Sequence, residues 1–168
     1  MKITIIANNP NSEAVRAISL SIMKRGHVAQ VLKLEDIRIA VSNNSKGYDS
    51  LQYIAGNKTK KLSKACLGDA IIPRIGTNVP YGIKAIDHIT KNLGTYSCIS
   101  SLGLLNAYDK MRTLQIASSK GIRTPKSYMS DNYKDYNYIA SQFKMPLVIK
   151  HIHGSLGAGV SIIESKLG

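Results

Sequence analysis

Two short apolar runs near the start of the chain, Lys2–Ala7 and Val28–Leu34, are separated by a turn, Asn8-Asn-Pro-Asn11, and a helical stretch. A connection that long cannot close a hairpin, so the runs predict parallel strands joined by a crossover helix. Ser12 fits the N-cap of that helix. Ala14, Val15, Ile18, Ile22 and Met23 recur near helical spacing and give it one apolar face, and Gly26 ends it. Open parallel sheets take ligands beyond the carboxyl ends of their strands, which puts Asn8–Asn11 beside a candidate site.

The pattern returns at Asp69-Ala-Ile-Ile-Pro-Arg-Ile-Gly76, read as a buried strand running into a turn, and at Val79–Leu93, read as a helix ending at Gly94. Tyr96–Ser100 predicts a further short strand. The stretch Ile37–Leu67 is less regular. Asn43–Gly47 reads as a loop by composition, and Asn57-Lys-Thr-Lys-Lys61 as an edge strand or a solvated surface, the latter favoured because charge runs face water. Tyr108–Ala117 predicts a helix stopped by Gly121, Thr124–Met129 an extended piece, and Asn132–Phe143 a tyrosine-rich helix.

The chain then reaches Pro146-Leu-Val-Ile-Lys150, a cluster holding Gly154, Gly157 and Gly159, and Val160-Ser-Ile-Ile163. Two strands joined by a glycine loop fit this stretch. Glycine tolerates positive φ and lets backbone N–H groups approach a ligand. A Walker A loop is excluded, since it needs Gly-Lys-Ser/Thr followed by a helix. A lid over nucleotide phosphates, with Lys150 on the strand before it, remains, as does a plain turn that contains glycine.

In order and spacing, Asp69–Gly76, Tyr108-Asp-Lys-Met-Arg112, Gly121-Ile-Arg-Thr-Pro125 and Pro146–Lys150 with Gly154–Gly159 resemble the RimK-type ATP-grasp ligases. That family joins a carboxylate to an amine with ATP through an acyl phosphate, and the resemblance covers nearly the whole chain. It implies an α/β fold: a Rossmann-like pre-ATP-grasp domain over 1–95, then the first, smaller α+β subdomain of an ATP-grasp fold over 96–168, truncated just after the glycine loop. It implies ATP contacts from Lys110, Lys150, Gly154, Ser155, Gly157 and Gly159. Arg74 is the candidate for the substrate carboxylate by a bidentate pair, although an arginine in such a turn can equally cap local carbonyls. ATP and Mg²⁺ are the implied cofactors, and glutamate or a similar amino acid and a protein or peptide acceptor the implied partners. A homo-oligomer is permitted. Catalytic groups and metal ligands belong, by the same resemblance, to a second half that would follow Glu164. The expectation is therefore an amino-terminal part of a ligase, inactive alone.

Composition sets the remaining bounds. Of 168 residues, 23 are Lys or Arg against 10 Asp or Glu, a net charge of +13 spread along the chain. Such a balance favours anionic partners. Nucleic acid is not indicated, because the charge is dispersed and no stacking, helix-turn-helix or zinc pattern is present. A non-catalytic Rossmann-like module whose basic surface meets an acidic protein or nucleic acid is the alternative to a ligase. Cys66 and Cys98 are too few for a disulfide framework or zinc site. With no secretory signal and no apolar run of roughly 20 residues, a cytoplasmic location and no membrane contact are expected.

Overall fold

The computed structural model describes residues 1–42, 48–154 and 157–165. The loop read at Asn43–Gly47 and the candidate Ser155 lie outside them. The chain divides into two compact units, Met1–Leu105 and Asn106–Gly168.

The first unit opens with β1 (Lys2–Ala7), α1 (Glu13–Lys24) and β2 (Val28–Lys33). As the capping pattern predicts, the Ser12 side chain accepts the Val15 N–H. Strands β3 (Ile37–Ser42), β4 (Tyr48–Ala55) and β5 (Lys58–Leu62) follow, then α2 (Lys64–Leu67), β6 (Ala70–Arg74), α3 (Val79–Lys91), β7 (Tyr96–Ser97) and α4 (Ser101–Tyr108), which runs to the end of the unit and past it. The main sheet has the order β2-β1-β6-β7, and every pair in it is parallel. Central β1 is buried on both sides, as parallel strands are. Ile5 and Ala7 pack with Val15 and Ile22 of α1. Ile6 instead joins Ile71, Ala85, Ile86 and Ile89, so that α3 covers the other face. Burying one such isoleucine contributes about 1.5–3 kcal/mol. Thr4 is buried among them without penalty, its hydroxyl donating to the Leu67 carbonyl at 2.6 Å.

The irregular stretch resolves into an antiparallel sheet, β3-β4-β5. Its inner residues Ile37, Leu51 and Leu62 are buried in the same core as α3. Reading Asn57–Lys61 as no more than a solvated surface is corrected: Lys58–Leu62 pairs with β4 as an edge strand, while Lys58–Lys61 remain exposed. Ala55 faces Lys58 across a two-residue turn, with Gly56 at φ +58°, the backbone such hairpins require.

In the second unit α5 (Lys110–Ser119) and α6 (Tyr136–Ser141) precede the antiparallel hairpin of β8 (Leu147–Lys150) and β9 (Val160–Ile163). The single helix expected over Tyr108–Ala117 is corrected. Tyr108 closes α4, and Asp109, in extended backbone, caps α5 by accepting the Arg112 N–H. The tyrosine-rich helix is shorter than expected, with a 3₁₀ turn at Tyr133–Asp135 ahead of α6.

Candidate functional site

The first unit places Asn8 and Arg74 at the carboxyl ends of its two central strands, since Ala7 pairs with Arg74 at the last position of their register. The Asn8 side-chain oxygen accepts the N–H groups of Gly76 at 2.8 Å and Thr77 at 3.1 Å. One amide thereby ties the end of β1 to the loop that leads into α3. Arg74 is exposed and has no hydrogen bond or ion pair among the described residues, leaving its planar fork available for a carboxylate. Asn8→Ala should lower stability by about 1–2 kcal/mol, the net worth of two lost bonds. Asn9→Ala should cost less, because among the described residues that side chain accepts only the Asn11 N–H; urea unfolding of the two variants checks this.

In the second unit Lys110 is the first residue of α5, and it is brought onto the glycine loop. Its backbone N–H donates to the Ile152 carbonyl at 3.3 Å. Its ammonium donates to the Gly154 carbonyl at 3.0 Å and to that of Ile152 at 3.4 Å. Just before Lys110, the Tyr108 ring stacks on His153 with centroids 4.3 Å apart. Both contacts fix the root of the loop to the start of α5. Sequence reasoning missed Tyr108 and His153, which are partners across 45 positions of the chain, and His151, whose contact with Gly159 closes the loop locally.

At the other end of the loop, the His151 N–H donates to the Gly159 carbonyl at 2.8 Å and the Val160 N–H to that of Gly157 at 3.3 Å. Gly157 and Gly159 take φ of +77° and +69°, where side chains are strained. A Cβ at Gly159 would also come within 2.5 Å of the His151 ring.

Lys150 makes none of these contacts. Lys150, opposite Val160, and Val148, opposite Ile162, occupy one face of the hairpin, because opposed residues of antiparallel strands share a side. Val148, Val160 and Ile162 are exposed. The face is thus an apolar strip with an ammonium at the loop end. Lys110, Gly154, Gly157 and Gly159 surround the same loop, whereas Arg74 belongs to the first unit.

Residues 1–104 match the model of the RimK PreATP-grasp domain, and residues 107–167 that of the RimK-like ATP-grasp domain. The chain belongs to the RimK family of ATP-grasp ligases. A probable alpha-L-glutamate ligase of a Marinomonas species is 32% identical over 168 residues, covering 98% of this chain and 52% of the relative. A protein of the same description from Pseudoalteromonas atlantica is 29% identical, again over 98% and 52%. Among solved structures, a RimK domain ATP-grasp protein from Sphaerobacter thermophilus superposes with a TM-score of 0.67 at 14% identity, over 98% of this chain and 54% of that one. The ATP-grasp ligase PsnB, complexed with a minimal precursor, Mg and ADP, gives 0.57 at 13% identity, over 97% and 58%. At such identities the two structures show the shared fold. This RimK-family chain spans about half the length of the curated relatives it matches.

Proposed function

We propose that this chain supplies the amino-terminal half of an ATP-dependent ligase that joins glutamate, or a similar acidic amino acid, to a protein or peptide. The observation that carries the reading is the β8–β9 hairpin: Lys150 stands at the end of an exposed apolar strip, and the adjoining glycine loop is anchored by Lys110. The strip suits a purine ring. Lys150 and the loop N–H groups suit its phosphates, charge-assisted bonds being roughly twice as strong as neutral ones. Lys110 would reach the phosphates by exchanging its loop carbonyls for phosphate oxygens. Arg74 would hold a substrate carboxylate.

ATP supplies the activation: a carboxylate oxygen attacks the γ-phosphorus and releases ADP. The acyl phosphate formed is attacked by the amine, which loses a proton as phosphate leaves and the amide forms. Among the described residues no group of three or more His, Cys, Asp or Glu could hold a metal ion, so no Mg²⁺ ligand is assigned to this chain. A ligase is favoured over the non-catalytic module because both halves of the family's domain pair match. Among the described residues no helix is long and apolar enough to cross a membrane.

The test joins residues 1–168 to the carboxyl-terminal half of the Marinomonas relative. ADP release is measured with ATP, Mg²⁺, glutamate and a peptide acceptor, and the peptide product is weighed by mass spectrometry. The polypeptide of 168 residues alone should release no ADP above background, and the joined protein should add glutamate to the peptide. Lys150→Ala should lower its kcat/KM for ATP about 10- to 100-fold, from the roughly 1.5–3 kcal/mol of a charged hydrogen bond. A joined protein that ligates equally well with Lys150→Ala would remove the basis of the assignment.

A further inference from the structure

The root of the glycine loop is held by two side-chain contacts of different chemistry. One is polar: the Lys110 ammonium donates to the carbonyls of Ile152 and Gly154. The other is the stack of Tyr108 on His153, with ring centroids 4.3 Å apart and planes 10° from parallel. Tyr108 is the last residue of α4, and Asp109 after it caps α5, so its backbone is fixed between two helices. His153 comes from the loop itself, one residue before Gly154, and is exposed. Neither ring carries a hydrogen bond or ion pair among the described residues, so the stack is what both side chains contribute.

The two contacts answer differently to a nucleotide. On the ligase reading, the Lys110 ammonium exchanges its loop carbonyls for phosphate oxygens, which are the stronger acceptors. A ring stack takes no part in that exchange. Once the ammonium has left, Tyr108 on His153 is the one side-chain contact, among the described residues, that still ties the start of α5 to the loop root. The backbone bond from the Lys110 N–H to the Ile152 carbonyl stays, but at 3.3 Å it is long. Without nucleotide the ammonium and the stack duplicate each other. With ATP bound they do not.

We propose that Tyr108 and His153 are positioning residues for ATP: their stack keeps the loop root on α5 while the Lys110 ammonium moves to the phosphates. The proposal rests on the ligase reading and adds to it a pair that touches no substrate. The Tyr108 hydroxyl and the imidazole nitrogens have no role in it, so a phenylalanine serves at either position. The loop holds ATP in the ground state and the transition state alike, so losing the stack raises KM for ATP and leaves kcat unchanged.

The pair is tested in the protein that joins residues 1–168 to the carboxyl-terminal half of the Marinomonas relative. His153→Ala and Tyr108→Ala should each raise KM for ATP about three- to tenfold, the range that a stacked aromatic pair spans, with kcat and the KM for glutamate unchanged. The double variant should be no worse than either single one, because each truncation already removes the whole stack. Tyr108→Phe and His153→Phe should keep the wild-type KM. A wild-type KM in His153→Ala, a phenylalanine variant as poor as the alanine one, or additive effects of the two truncations overturns the proposal. Should Tyr108→Ala fail to fold, the exposed His153 decides through its alanine and phenylalanine variants. A joined protein that uses no ATP with both rings intact rejects the ligase reading, and this proposal with it. A joined protein that turns over, and does so equally well with His153→Ala, rejects the positioning pair alone.

Discussion

Gly68→Ala is expected to destabilise the chain by about 3 kcal/mol or more, because this residue combines a glycine-only backbone with a backbone contact. Gly68 has φ +87° and ψ −154°, a region that costs other residues about 1–3 kcal/mol. A Cβ added there would lie 2.5 Å from the Lys2 carbonyl oxygen and 2.7 Å from the Lys2 Cβ. Relief means moving the first residues of β1 or of β6. Overpacking of this kind adds roughly 1–3 kcal/mol. The displaced Lys2 carbonyl accepts the Asp69 N–H at 2.8 Å, and the Lys2 N–H donates to the Asp69 carboxylate at 2.7 Å. The damage therefore falls where the two central strands begin to pair. Gly26→Ala is the control. It has φ +75° with nothing within 4 Å of the added atom, so it should show the strain without the clash, about 1 kcal/mol. Urea unfolding of both variants measures the difference, and equal losses would mean that the Lys2 contact yields freely.

Gly159→Val should cripple ATP use in the joined protein while leaving the first unit intact. The added side chain meets the His151 ring at 2.5 Å in backbone that already disfavours it, at φ +69°. His151 cannot retreat without cost, because its N–H is held by the Gly159 carbonyl and its neighbour Ile152 by Lys110. If about 3 kcal/mol of clash and strain passes into misplacing the loop, kcat/KM for ATP falls about 100-fold. Gly157→Ala, at φ +77° with open space around it, should lose no more than about tenfold. Steady-state kinetics on both variants, with thermal unfolding to confirm folding, gives the comparison. Equal ATP kinetics for wild type and Gly159→Val would reduce the glycines to an ordinary turn.

Elements whose signals are local were the legible ones. Ser12, the apolar spacing of α1 and Gly26 mark a helix with both ends, and the runs either side can only pair in parallel. The sheet β3-β4-β5 was obscured because its edge strand, Lys58-Thr-Lys-Lys-Leu62, resembles solvated chain; the Gly56-Asn57 turn was the one cue to pairing. Helix α4 escaped notice since Leu102, Leu104 and Leu105 give it no single apolar stripe. At the candidate site, Lys150 and the glycines were visible as a pattern. That the Lys110 ammonium holds the carbonyls of Ile152 and Gly154, and that Tyr108 stacks on His153, depends on residues over forty positions apart.

The exposed lysines of β5 bear on how copies of this chain behave toward one another at high concentration. Among the described residues β5 pairs on one side only, with β4, and an open sheet edge is a template for another strand. Lys58, Lys60 and Lys61 lie along that edge, all exposed. A second copy approaching edge to edge would set ammonium rows against each other at the ~4.8 Å spacing of paired strands, where like charges repel. Salt shortens the reach of that repulsion to about 8 Å at physiological strength and about 3 Å at 1 M. Self-association through this edge is thus held off by a barrier that ionic strength can lower, and the colloidal stability of the protein should decline as salt is raised.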